Sequence, residues 1–232
     1  MGVFARRGSG SPGGLCEDGR REMTDKSIVT TQTTAMTATS FKTKQEHVAS
    51  WVSNIAAPPV LAVVGVVLVA LQTAEQGAWE WALFFGVVAV ALPLLYVVWE
   101  VWRGNIADVH VPDRAQRTRP YLVALAASVA VWLIFALWPA PPLFRVLALA
   151  NGLQALIFFL ITLRWKISLH SAAAGGLTVL SFSALSSTGL WIVLIVPLIA
   201  WARVRLRRHT LAQTVGGAAL GAAIFGVAIW VV

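Results

Sequence analysis

The most chemically suggestive part of the sequence is a polar stretch, residues 201–213, between two long apolar runs. It contains four arginines, among them Arg203, and one histidine, His209. His209 precedes Gln213 by four residues, so on a helix the two side chains share a face and are able to touch. His209 also lies at the start of the last apolar run, and the free N–H groups of a helix's first turn favour a phosphate. The arginines alone fit a positively charged loop equally well.

A second polar cluster lies at the junction between two other apolar runs. Lys166, Ser168 and His170 fall within five positions of one another. A lysine and a hydroxyl together bind an oxyanion, and a histidine gives or takes a proton near neutral pH. A histidine in a solvated loop is the alternative interpretation of this stretch.

The third cluster, residues 105–121, is rich in arginine. Arg114, Arg117 and Arg119 precede Pro120, and proline is typical of the first turn of a helix, where its missing N–H costs nothing. A charged loop that follows membrane topology explains this cluster equally well. Each cluster alone is weak evidence for a functional site. The three clusters support one site only if the secondary structure around them brings them together.

Those elements are predicted to be membrane-spanning helices. The 232-residue chain is 58% hydrophobic and 12% charged, with a mean hydropathy of +0.75. Few charges between long apolar runs indicate an all-α, multi-pass transmembrane helical bundle. A single cysteine, Cys16, excludes a disulfide framework and a cysteine-rich metal site.

The chain divides into three predicted regions. Residues 1–40 form a disordered basic, Thr-rich tail. Residues 41–57 form an interfacial amphipathic helix, since Val48 and Ile55 recur at helical spacing. Residues 58–232 form the transmembrane domain. Seven spans are predicted, with six as the alternative because the fifth and sixth are short: 58–73, 79–102, 120–138, 143–163, 171–187, 189–201 and 210–231.

The distribution of charge predicts which side the polar clusters face. With seven spans, 17 of the 18 lysines and arginines fall on the side of the tail, and only Arg145 falls opposite. The positive-inside rule then places the clusters in the cytoplasm, at a plasma (inner) membrane. The net charge of +8 is attributed to topology and anionic lipid, and no stretch has the basic and aromatic pattern of a nucleic-acid site.

Two of the clusters resemble motifs of the type 2 phosphatidic acid phosphatase superfamily, which shares its core with vanadium haloperoxidases. Its last motif is S-R-x5-H-x3-D, and here Arg203, His209 and Gln213 have that spacing. Gln213 stands where the family has aspartate. Its middle motif is P-S-G-H, and here Ser168 and His170 match the serine and the histidine.

The 105–121 cluster resembles the family's first motif, K-x6-R-P. Arg119 and Pro120 match its end, while Pro112 stands in place of the lysine. Three cations are candidates to replace that lysine: Lys166, Arg114 and Arg117. The three motifs occur in the family's order, and the resemblance covers residues 50–232.

The resemblance implies a function and a role for each matched residue. His209 would attack phosphorus and form a phosphohistidine, His170 would protonate the leaving alcohol, and Gln213 would orient His209. Arg119, Arg203 and Ser168 would hold the phosphoryl oxygens. The chain would then be a lipid-phosphate or isoprenoid-phosphate phosphatase that uses no metal and no other cofactor. Its partners would be the lipid bilayer and the phosphate substrate.

Two other functions fit parts of the sequence. A degenerate, non-catalytic protein of the same fold would bind a lipid phosphate, and the uncharged Gln213 favours it. The 105–121 stretch also resembles the first Asp-rich motif of UbiA-type prenyltransferases, which bind Mg²⁺ and need a second such motif. Beyond Asp113 the chain has no aspartate or glutamate, whereas Mg²⁺ prefers carboxylate oxygens.

Overall fold

The computed structural model describes residues 43–108, 111 and 115–231. This part of the chain contains nine α-helices and no β-strand. The helices are α1 Lys44–Ile55, α2 Pro58–Gln72, α3 Ala78–Phe85, α4 Leu92–Trp102, α5 Thr118–Leu137, α6 Pro142–Thr162, α7 Leu169–Leu185, α8 Ile195–Arg205 and α9 Leu211–Trp230. A π-helical segment, Gly86–Ala91, joins α3 to α4. The predicted disordered tail, 1–40, lies outside the described residues, as does Arg114.

The predicted amphipathic segment is helix α1. It begins with a capping box in which Thr43 and Glu46 exchange hydrogen bonds between side chain and backbone. Its predicted apolar stripe faces away from the protein, with Trp51 69% exposed, while Ala49 and Ser53 on the opposite face are buried against the bundle. A bilayer surface would cover this stripe, so its interfacial placement stays a prediction.

A count of apolar helical stretches gives a lower number than the seven predicted spans, because one stretch contains two of them. Among the described residues, five helical stretches are long and apolar enough to cross a bilayer, or six if α1 and α2, bent by 43°, count as one span. The predicted fifth and sixth spans lie in one helical stretch, Leu169–Arg205. The chain is therefore a multi-pass helical membrane protein, and the choice between seven spans and six depends on how this stretch crosses the bilayer.

The Leu169–Arg205 stretch folds back on itself. Ser186 has a positive φ of 54° and ends α7, and a 3₁₀ segment, Ser186–Leu194, follows. A Cβ on Gly189 would lie 2.0 Å from the carbonyl oxygen of Ser181, so only glycine permits this reversal. Helix α8 then returns along α7, where Ile199 packs with Ala174. The reversal brings the end of α8 back to the start of α7.

Close packing of α7 against α9 holds the 201–213 cluster and the Lys166–His170 cluster together. A G-x-x-x-G pair on α9, Gly217 and Gly221, lies against α7: added Cβ atoms would come within 2.5 Å of Ser168 O and 2.1 Å of Ala172 O. From α7, Gly175 meets Ala218 O in the same way. Small residues of this kind allow helix backbones in membranes to approach closely.

Replacing Gly217 with alanine is expected to lower the unfolding temperature in detergent. The new methyl group would force α9 away from the Ser168 carbonyl, and such overpacking costs about 1–3 kcal/mol. Gly226→Ala on the same helix is the matched control, because no atom lies within 4 Å of its added Cβ. Equal unfolding temperatures for the two variants would contradict this packing argument.

Candidate functional site

Four basic side chains meet at one end of a cavity of about 370 Å³. Arg117 comes from the start of α5, His170 from the first turn of α7, and Arg203 from the last turn of α8. His209 lies in the short turn between α8 and α9. The rest of the wall is mainly apolar. It includes Pro58, Leu61, Phe85, Val90, Val97, Leu147, Phe158, Leu177 and Phe225. The cavity is therefore amphipathic, with a cationic end and an apolar body.

Arg117 occupies the position in this cavity that the motif match assigned to Arg119. Arg117 is buried, and its Nε donates to the Val111 carbonyl oxygen at 2.7 Å. Arg119 is exposed on α5 and does not line the cavity. Side chains two residues apart point to opposite sides of a helical turn, so one of these two arginines faces inward and the other outward.

The predicted contact between His209 and Gln213 is present. His209 Nδ1 lies 3.1 Å from Gln213 Oε1, and the backbone N–H of Thr210 donates to the same oxygen at 3.2 Å. Thr210 and Gln213 form a capping box at the start of α9. Because Oε1 already accepts an N–H, the amide cannot flip without losing that bond, and the ring nitrogen facing Oε1 must be the donor.

His209 is consequently held as a neutral imidazole with its proton on Nδ1. Burial, followed by the positive charge of Arg203, lowers the pKa of His209 from 6.5 to about 3. The hydrogen bond to Gln213 opposes this shift but is outweighed. Near neutral pH, Nε2 is therefore unprotonated and carries a lone pair. A neutral imidazole of this kind is the form of histidine that acts as a nucleophile.

Arg203 is the most deeply buried cation of the site, with 4% of its surface exposed. Its Nη1 donates to Ser53 Oγ of helix α1 at 2.9 Å. Its Nε is buried without a hydrogen-bond partner among the described residues. A buried guanidinium with an unpaired donor is costly, and an anion in the cavity would pair it.

Ser53 is a part of the site that the sequence motifs do not contain. It lies 150 residues from Arg203 in the chain. The available signal was its position on the face of α1 opposite the apolar stripe, between small residues. A second contact fixes the same two helices together, since Arg205 pairs with Glu46 at 3.9 Å.

We expect Ser53→Ala to weaken the binding of inorganic phosphate by about tenfold or more, since the lost hydrogen bond to the charged Arg203 contributes about 1.5–3 kcal/mol and 1.4 kcal/mol is tenfold. The matched control is Ser50→Ala, on the same helix and outside the cavity. The measurement is the equilibrium dissociation constant of inorganic phosphate for both variants. An unchanged constant for Ser53→Ala would show that α1 does not position Arg203.

Ser168 and His170 lie together at the start of α7. Ser168 is fully buried, and its Oγ accepts hydrogen bonds from the backbone N–H of Ser171 at 3.3 Å and from Ser171 Oγ at 3.0 Å. Its backbone N–H donates to the Gln213 carbonyl oxygen at 3.2 Å. Ser168 therefore caps the helix that presents His170 and joins it to the His209 turn. The predicted contact of its hydroxyl with phosphate remains a prediction.

Lys166 adds to the positive charge around the site. It is partly buried, and burial, followed by repulsion from Arg117, Arg203 and Arg208, lowers the pKa of Lys166. Arg208 itself pairs with Asp108 at 3.5 Å. A concentration of cations in a partly enclosed cavity attracts anions.

The structure thus brings together His209, His170, Arg203 and Arg117, places Lys166 near them, and leaves Arg119 on the surface. No protein-family model, curated protein or solved structure matches the chain. Among residues 43–108, 111 and 115–231, no group of three or more His, Cys, Asp or Glu side chains is arranged to hold a metal.

Proposed function

We propose that this protein is a membrane phosphatase that removes the phosphate from a lipid or isoprenoid phosphate through a phosphohistidine. The observation that carries the proposal is the neutral His209 ring. Its Nδ1 is bonded to Gln213, and it lies at the cationic end of an otherwise apolar cavity. An amphiphile with a phosphate head matches both ends of this cavity.

The first chemical step forms the covalent intermediate. His209 Nε2 attacks the phosphorus atom, and the bond from phosphorus to the lipid oxygen breaks. His170 gives its proton to that oxygen, so the product leaves as a neutral alcohol. Arg117 and Arg203 hold the equatorial oxygens, because stabilising their charge and fixing the geometry supply most of the catalysis in phosphoryl transfer.

The second step regenerates the enzyme. A water molecule attacks the phosphorus of the phosphohistidine while His170 takes the proton of that water. The bond between phosphorus and His209 Nε2 then breaks, and inorganic phosphate leaves. Gln213 holds the ring in the same tautomer throughout, although its neutral amide stabilises the charged ring less than a carboxylate would.

The alternative is a non-catalytic receptor for a lipid phosphate. The neutral Gln213 favours it, since the amide that bonds His209 brings no negative charge to offset a charged ring. Both functions use the same cationic end of the cavity, so only turnover distinguishes them.

The test is phosphate release by the purified protein in lipid nanodiscs. Phosphatidate, phosphatidylglycerol phosphate, a monoacylglycerol phosphate and an isoprenoid phosphate are supplied separately, with and without EDTA. Release that EDTA does not abolish supports the phosphatase. Saturable binding of these lipids without release supports the receptor. Release or prenyl transfer that requires Mg²⁺ would contradict both.

We expect the cationic end of the cavity to face the cytoplasm, as the distribution of lysines and arginines predicts. In a Cys16→Ser background, a cysteine replacing exposed Ser187 should react with an impermeant thiol reagent on intact cells. A cysteine replacing exposed Ala107 should react only after permeabilisation. The reverse pattern would place the arginines outside and show that ligand binding, rather than topology, determined their position.

A further inference from the structure

A second polar group lies deeper in the same cavity. Asn151 Nδ2 donates to Ser128 Oγ at 2.8 Å, and Ser128 Oγ donates to the Ala124 carbonyl oxygen at 2.7 Å. Gln154, one turn along α6 from Asn151, has a buried Oε1 without a hydrogen-bond partner among the described residues. Ser128, Asn151 and Gln154 all line the cavity.

The cavity runs without a break from the cationic end to this group. One face of α5 lines it at helical spacing, from Arg117 through Tyr121 and Ala124 to Ser128. The hydrogen bond between Asn151 and Ser128 places these two residues at the same height along the neighbouring helices α6 and α5. Gln154 is therefore about 12 Å along the helix axis from Arg117, at 1.5 Å per residue. The long side chains of Arg117 and Gln154 cover part of that distance.

The unpaired amide oxygen of Gln154, this far inside the cavity, would be stabilised by a hydrogen-bond donor. Burying a polar group without a hydrogen bond costs free energy, and within a bilayer the cost is not relieved by bulk water. The unpaired atom of Gln154 is an acceptor, so its partner must bring an O–H or N–H. Oε1 itself is enclosed, so the Gln154 side chain must turn toward the cavity to meet a partner there. An isoprenoid phosphate has neither beyond its phosphate, and the ester linkages of a two-chain glycerol phosphate have only acceptors.

We propose that Gln154 is a specificity-determining residue whose amide oxygen accepts a hydrogen bond from a hydroxyl on the linker of a single-chain lipid phosphate. This inference rests on the proposed function for the identity of the head group. The Gln154 hydrogen bond is a second contact beyond the phosphate site. It would make the protein prefer hydroxylated lipid phosphates over isoprenoid phosphates of similar length.

The experiment uses two lipids that differ in one oxygen: a monoacylglycerol phosphate with a free 2-hydroxyl, and its 2-deoxy analogue on a propanediol linker. Wild-type protein in nanodiscs should show a kcat/KM about tenfold higher for the hydroxylated lipid, as expected for one hydrogen bond to a group otherwise left unpaired. In Gln154→Met this ratio should fall to about one. Gln154→Met should fold, because it removes an unpaired buried polar atom while retaining the unbranched shape.

The control is Gln72→Met, the same replacement at an exposed glutamine outside the cavity, which should keep the wild-type ratio. A wild-type ratio near one would overturn the inference. An unchanged ratio in Gln154→Met would also overturn it, since another group would then recognise the hydroxyl.

A binding measurement separates this inference from the proposed function. Equilibrium binding of both lipids to His209→Ala in nanodiscs reports recognition without turnover. If the wild type releases no phosphate from any lipid, the phosphatase proposal fails, while a tenfold binding preference that depends on Gln154 would still support the hydroxyl contact. Equal binding of the two lipids, or binding of neither, would overturn the contact whether or not phosphate is released.

Discussion

His209→Ala is expected to lower the rate of phosphate release by about 10⁴-fold or more, because removing a nucleophile eliminates the covalent route entirely. The buried His209 ring has its Nδ1 proton bonded to Gln213 and its Nε2 available in the cavity. Alanine leaves the arginines in place, so the phosphate head should still bind. The measurement is single-turnover phosphate release, together with the equilibrium binding of the same lipid.

The control is His47→Ala, which removes an exposed histidine of α1 that does not line the cavity. It should retain wild-type release and binding. Retention of substantial release by His209→Ala would contradict the phosphohistidine mechanism. If binding persists in His209→Ala and the wild type never turns over any lipid, the protein is a phosphate receptor.

Sequence analysis found the parts of the site whose residues lie close together in the chain. His209 and Gln213 are four residues apart on one helix, so their contact followed from helical spacing alone. The motif match also selected His170 and Arg203, which the structure brings to the same cavity. It matched Arg119 to the motif arginine and named Arg117 only as a candidate to replace the motif lysine, because spacing along the chain does not show which residue of a first turn faces inward.

The parts that sequence analysis missed depend on distant contacts. Ser53 reaches Arg203 across 150 residues, and the order of Asn151 and Ser128 in the chain gives no indication that they bond. Hydropathy did predict a break at residue 188 between two short apolar runs, and the chain reverses there. The geometry of the reversal depends on the strained Ser186 and on Gly189 packing against a carbonyl. All-α architecture follows from composition, while the count of spans requires the fold.

The neutral amide of Gln213 suggests a variant that should gain activity. Gln213→Glu retains the length of the side chain, so a carboxylate oxygen should remain beside His209 Nδ1 and still accept the N–H of Thr210. A Thr-x-x-Glu sequence is also a capping box, which preserves the start of α9. The added negative charge would stabilise the charged ring of the intermediate. In the serine protease triad, the reverse loss of charge costs about 10⁴ in rate, which sets the upper limit of the gain.

Gln213→Glu should also move the acid limb of the profile of rate against pH. His209 attacks only when its ring is neutral, so activity depending on it is present above the pKa of His209 and is lost as the pH falls through it. In the wild type that pKa is about 3, and the rate should not fall with His209 ionisation between pH 7 and pH 5. A neighbouring carboxylate favours the charged ring and raises the pKa, which moves the acid limb toward neutral pH.

The measurement is kcat/KM between pH 4 and pH 8 for the wild type, Gln213→Glu and Gln213→Met. Methionine removes the hydrogen bond without adding charge, so it should lower the rate by freeing the ring to adopt the other tautomer. A rise for glutamate and a fall for methionine would show that Gln213 orients the nucleophile. Equal rates in all three would show that the contact between His209 and Gln213 only caps α9, and a profile that glutamate does not shift would mean that His209 is not the titrating nucleophile.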